Sequence, residues 1–202
     1  MTRRALVTGA TAGIGNAFAK ELAKRGYDLV IVARTTDRLE ALATQMRSKH
    51  RVEVDVVTAD LSTTDGVRSA VNKLTDTTRP VDLLVNNAGA SLAGWFGTTD
   101  IGDEDSQLDL LVRAPMHLMD AAIKTMAGRG GGQIINVSSV AAFTPRGVYS
   151  AHKAFNLWAL IVVGMKLTEC CGCGLGRPKE RRQTSSTIVL RTSLPASLVS
   201  DS

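Results

Sequence analysis

Short apolar runs, each closed by a glycine or a polar turn, alternate up to about residue 163 with stretches whose apolar positions recur every three or four residues. The runs ALVT (5–8), DLVIVA (28–33), VEVDVVTAD (52–60), VDLLVN (81–86) and QIINVSS (133–139) have strand length and are rich in valine, isoleucine and leucine. Most are apolar throughout, as strands covered on both faces are, and only 52–60 alternates clearly. Between them, residues 14–25 have helical composition. Leu39, Leu42, Ala43 and Met46 recur at helical spacing, as do Val67, Ala70, Val71 and Leu74. A longer helix is predicted over about residues 105–126, kinked or broken at Pro115 and ended by GRGGG (128–132). A last helix is predicted over about 148–167. Strands separated by helices imply an α/β fold: a Rossmann-type, doubly wound parallel sheet with helices on both faces.

After about Val163 the texture changes to glycine, cysteine, arginine and serine with little periodicity. The chain therefore reads as a nucleotide-binding domain over 1–163 and an atypical, poorly ordered basic tail over 164–202. The tail holds Lys166, Arg177, Lys179, Arg181, Arg182 and Arg191 against Glu169, Glu180 and Asp201, so it carries three of the five net positive charges. The body is nearly balanced, and aromatic residues make up only 4% of the chain. Both points argue against a nucleic-acid partner. No apolar run approaches the roughly 20 residues of a membrane span. MTRRALVTGA is too short in its apolar part for a signal peptide, so a cytoplasmic location is expected. Cys170, Cys171 and Cys173 match no common zinc pattern, and His50, His117 and His152 form no ligand grouping, so no metal is expected.

Chemistry is concentrated in four motifs. TGATAGIG (8–15) follows a buried strand and opens a helix. Gly9, Gly13 and Gly15 there permit close approach of backbone to phosphate, and the helix N-terminus offers unpaired N–H groups. At the end of the second strand a carboxylate would bind a free ribose 2′-hydroxyl, but the chain has Ala33 and Arg34, with no acid before Asp37. Arg34 suits a 2′-phosphate instead, which favours NADP while leaving NAD possible. In YSAHK (149–153), four residues along a helix advance about 6 Å and turn about 400°, so Tyr149 and Lys153 share a face. A unit charge about 4 Å from a phenolic oxygen contributes roughly 4 kcal/mol at an effective dielectric near 20, favouring the phenolate.

With NNAG (86–89) and the serines of INVSS, these motifs resemble the short-chain dehydrogenase/reductase family over roughly residues 3–160. The resemblance implies an NAD(P)-dependent oxidoreductase acting on a small-molecule carbonyl or alcohol. It implies a cofactor site of Gly9, Thr11, Gly13, Ile14, Gly15, Arg34, Asp60, Leu61, Asn87, Ala88 and Gly89, together with Tyr149 and Lys153. Asp60 falls at the adenine ring. Tyr149 matches the acid/base and Lys153 its partner. Ser139 takes the catalytic serine position, with Ser138 as the alternative. A homo-oligomer paired through the helices flanking the site is also possible. Trp95 and Phe96 either wall an apolar substrate pocket or simply pack.

Two departures qualify the resemblance. Leu111, in LDLLVRAP, stands where the family often carries an asparagine that extends a proton relay through water. Family members also continue past the tyrosine–lysine helix into a sixth strand, a Pro-Gly turn over the nicotinamide and a seventh strand. Here TIVLRTSLPA (187–196) is either a sixth strand with Pro195-Ala196 standing for that turn, or part of a truncated or frame-shifted end. The second reading leaves QIINVSS as an exposed edge and the sheet incomplete. It makes a catalytically impaired nucleotide-binding fragment the alternative function.

Overall fold

The computed structural model describes residues 2–144, 147–169 and 189–195. Five parallel strands, β1 (Arg4–Thr8), β2 (Asp28–Ala33), β3 (Val54–Thr58), β4 (Leu83–Asn86) and β5 (Gly131–Val137), form one sheet with a sixth strand, β6 (Val189–Pro195). Their order is β3-β2-β1-β4-β5-β6. The order reverses after β1, so β1 and β4 flank the point where connections switch from one face of the sheet to the other. The apolar runs explain the layers. Ala5 and Val7 face α1 (Gly13–Lys24) and α2 (Thr36–His50), whereas Leu6 faces α3 (Thr64–Thr75) and α5 (Ala114–Ala127). Both faces are dry, so successive residues are all apolar.

The helix predicted over 105–126 is three pieces: α4 (Ile101–Leu108), a π-helical turn (Asp109–Arg113) and α5. Proline supplies the reason. Pro115 has no N–H for the carbonyl of Leu111 four residues back, and its ring crowds that carbonyl. The break lies before the proline, where the helix accommodates an extra residue per turn.

The exposed-edge expectation for β5 does not hold. β6 pairs with β5 along its whole length, from Gly131↔Pro195 to Val137↔Val189, and it runs antiparallel. A strand near residues 187–196 is therefore present, in the opposite direction from the rest of the sheet. Pro195 lies beside Gly131, roughly 20 Å of strand away from the end carrying the serines. It cannot serve as a turn over that end. The last helix, α6 (Val148–Glu169), extends past residue 163. The remaining tail, with Cys170, Cys171 and Cys173, lies outside the described residues.

At the amino-terminal end of the sheet one ion network ties β1 and β3 to α3 and the α3–β4 connection. Arg4, 3% exposed, pairs with Asp55, and Lys73 and Arg79 approach the same carboxylate at 3.3 and 2.9 Å. Burial alone would raise the Asp55 carboxyl; the charge of Arg4 and the hydrogen bonds from Lys73 and Arg79 outweigh it and hold it below the usual range. A depressed folded-state pKa stabilises above the unfolded value, and the contribution is lost as pH falls through the folded one. Asp55→Asn leaves Arg4 buried without its counter-charge. The expected cost at neutral pH is about 3 kcal/mol, the low end for a broken buried pair because Asp55 keeps some solvent contact. Urea unfolding of both proteins from about pH 7 down to pH 2 checks this: the gap should close in acid.

Candidate active site

All five parallel strands end on one side of the sheet, and a cleft of about 700 Å³ opens there. It is lined by the turn after β1, the end of β2, the β3–α3 and β4–α4 connections, Ser138 and Ser139 after β5, and Tyr149 and Lys153 from α6. Of the catalytic and cofactor-site residues expected from the sequence, only Gly15 does not line it. Gly15 acts from behind. A Cβ there would lie 2.3 Å from the Gly9 carbonyl oxygen and 2.4 Å from Asn87 Nδ2. Gly9 itself has φ +66° and is crowded by Asn87 and Ala88. The first turn of α1 can approach the sheet only without side chains at these positions.

The helix that follows is prepared for an anion. Ala12, its cap, makes no side-chain hydrogen bond, and its first turn holds no acidic residue. Its leading N–H groups and the positive end of its dipole therefore face the cleft uncompensated.

At the β2 end of the cleft Arg34 is joined by Arg38, which the sequence reading did not single out. Among the described residues neither arginine is in an ion pair. A usable signal was present. Arg38 stands in the first turn of α2, where the helix dipole disfavours a cation, and a bound anion would offset that cost. Asp60 is close enough to feel Arg34. Burial would raise its carboxyl, but two hydrogen bonds from Ser62, at 2.9 and 2.7 Å, and the Arg34 charge lower it. That carboxylate is ionised at neutral pH, with one oxygen committed to the turn.

The two serines separate by their bonds. Ser138 is buried, and its hydroxyl donates to the Lys153 carbonyl at 2.6 Å, fastening β5 to α6. Ser139 is half-buried and accepts the N–H of Ala141 at 3.2 Å, which leaves its own proton to donate into the cleft. Lys153 is only 6% exposed, and its Nζ donates to the Val137 carbonyl at 3.3 Å. Burial pushes the ammonium below the usual lysine range. The same nitrogen lies 5.9 Å from the centre of the Tyr149 ring. Leu111 is fully buried, and its Cδ2 stands 3.0 Å from where a Cβ on Gly89 would be, with Lys153 Nζ at 3.3 Å. Both side chains therefore close on Gly89, which has room for no Cβ without their shifting. Trp95 and Phe96 are exposed and outside the cleft lining.

The profile of the short chain dehydrogenase family matches residues 3–157, which hold every element lining this cleft. The chain belongs to the short-chain dehydrogenase family. An uncharacterized oxidoreductase of Staphylococcus epidermidis is 32% identical over 153 residues, covering 74% of this chain and 65% of the relative. The chain thus spans just under two-thirds of that curated relative. A bulky-bulky ketone specific alcohol dehydrogenase from Comamonas testosteroni superposes with a TM-score of 0.79 at 34% identity, covering 83% of this chain and 68% of the other. A short-chain dehydrogenase from Sphingobium yanoikuyae in complex with NADPH does so at 0.79 and 33%, covering 83% and 66%.

If the glycine packing sets the cleft, Gly15→Ala should force α1 away from β1. Overpacking of this kind costs about 1–3 kcal/mol, a fall in melting temperature of roughly 2–10 °C for a chain of this size. Thermal unfolding followed by circular dichroism reads it, and an unchanged melting temperature would mean that the loop has slack.

Proposed function

We propose that this short-chain dehydrogenase is an NADP-preferring oxidoreductase that moves hydride between a nicotinamide cofactor and the carbon of a carbonyl or alcohol. The observation that carries the reading is the meeting, in one cleft, of an uncapped helix N-terminus, two arginines that have no ion pair among the described residues, and the Tyr149–Lys153 pair. The residues fit the cofactor. The turn Gly9–Gly15 with Thr11 and Ile14 would hold the pyrophosphate against the N-terminus of α1. Arg34 and Arg38 would take the 2′-phosphate through charge-assisted bonds. Asp60, Leu61, Asn87, Ala88 and Gly89 would line the adenosine side. That a structural neighbour binds NADPH supports the same choice.

When bound, the reduced nicotinamide supplies a hydride to the carbonyl carbon. The chain's own residues handle the oxygen, which must gain a proton as the carbon gains the hydride. Ser139 donates a hydrogen bond where negative charge develops, a contribution larger in the transition state than in the ground state. Tyr149 delivers the proton. Lys153, close beneath its ring, stabilises the phenolate that remains, and in the reverse direction the same phenolate takes the proton from an alcohol. The Val137 carbonyl and burial on all sides keep the ammonium in place.

Two experiments test the reading. Arg34→Asp, alone and with Arg38→Asp, should weaken NADPH binding by tenfold or more while changing NADH binding little, since a hydrogen bond to a charged group is worth about 1.5–3 kcal/mol. Equal losses for both cofactors in a fluorescence titration would detach the arginines from the 2′-phosphate. Tyr149→Phe should leave NADPH binding in place and lower carbonyl reduction by roughly 10²–10⁴. NADPH binding by the unaltered chain with no reduction of any ketone tested would favour a nucleotide-binding role without turnover.

A further inference from the structure

Three buried asparagines form a line through the molecule: Asn86 on β4, Asn136 on β5 and Asn156 on α6, exposed by 4%, 0% and 3%. Asn86 Nδ2 donates to Asn136 Oδ1 at 3.0 Å, and Asn136 Nδ2 donates to the Asn156 carbonyl at 3.2 Å. Asn156 Nδ2 then donates to the Leu111 carbonyl at 2.6 Å and to the His152 carbonyl at 3.2 Å. The line therefore joins two central strands to the helix bearing Tyr149 and Lys153, and that helix to the π-helical turn. Its last bond has a specific cause. Pro115 cannot donate to the Leu111 carbonyl, so that acceptor, in a buried residue, lacks its usual helical partner. A side chain from another element takes the place of the missing N–H.

We infer that Asn156 is a positioning residue for the Tyr149–Lys153 pair, locking α6 in rotation and height by holding the Leu111 carbonyl that Pro115 leaves over. Asn156 lies three residues beyond Lys153 and seven beyond Tyr149, about one and two turns along the same face. Its bond and that of Ser138 to the Lys153 carbonyl fix the turn containing Lys153 from two sides. Against the π turn this face meets Leu111, and loss of the amide would let α6 turn or slide there, carrying Lys153 with it.

The inference rests on the reading of Tyr149 and Lys153 as the reacting pair, and the experiment separates the two. Asn156→Leu removes the amide; adding Pro115→Ala returns a backbone N–H to the Leu111 carbonyl. Lys153 acylation by acetic anhydride, mapped by mass spectrometry against the exposed Lys24, reports position without requiring turnover. NADPH-dependent ketone reduction and NADPH titration report function. In Asn156→Leu, Lys153 should label several-fold faster and kcat fall by about 10–100-fold, the cost of roughly an ångström of misplacement, with NADPH affinity unchanged. The double variant should recover both. Unchanged Lys153 labelling in Asn156→Leu, or a double variant no better than the single one, overturns the inference. Should Asn156→Leu alone fail to fold, the double variant must fold and protect Lys153, and failure of both overturns it equally. Labelling that behaves as described in a chain that reduces nothing leaves the positioning intact and removes only the catalytic reading.

Discussion

Thr8, the last residue of β1, accepts at its hydroxyl the N–H groups of Asn87 and Ala88, at 2.9 and 3.0 Å, and donates to the Val85 carbonyl at 3.3 Å. The Asn87 amide answers by donating to the carbonyls of Thr8 and Gly9, at 2.9 and 3.3 Å. Parallel strands usually separate where their ladders end, because the chains leave toward different helices. Here five side-chain bonds carry the β1–β4 pairing one step further and place Asn87 against the back of the glycine turn. The absence of a Cβ at Gly15 is the other half of this contact. The shape of the cleft thus depends on one hydroxyl and one amide filling space that glycine leaves.

The opposite wall is held by a different device. Lys153 is an ammonium in a nearly dry setting, and burial disfavours its charged form. The aim of such a group depends on how firmly its surroundings hold it. Ser138 grips its carbonyl, Val137 accepts from its Nζ, and the asparagine line braces the helix behind it. The anchoring atoms belong to β4, to β5 and the residue that follows it, to α6 and to the π turn, so the pair is set by the core rather than by the loops at the rim.

Much of this was legible in the sequence because it is local. Apolar runs with both faces buried announce parallel strands, and glycines after the first run announce a phosphate turn whichever helix follows. What escaped depends on pairs distant in sequence. Pro115 announced a break, but its form came from Asn156, 41 residues on, whose amide satisfies the orphaned carbonyl. The choice between Ser138 and Ser139 was unreadable because adjacent residues after a strand point opposite ways, and only the Lys153 carbonyl shows which side is core. Arg38 was passed over as one charge among many on a polar helix.

Strand direction settles which segment can reach the cleft from the far edge. A sixth parallel strand would end beside Ser138, and the chain following it would be delivered over the cleft. In the antiparallel β6, Val189 stands beside Val137 and Pro195 beside Gly131, so the chain enters the sheet at the cleft and leaves from the opposite end. Pro195 thus stands roughly 20 Å of strand away from the cleft end of β5. Pairing the β5 edge and enclosing the cleft are therefore separate requirements, and β6 meets the first. The bonds that hold Lys153, from Ser138 to its carbonyl and from its Nζ to Val137, lie in the buried interior and not in the β5 edge, so this wall of the cleft is fixed independently of the strand that pairs there.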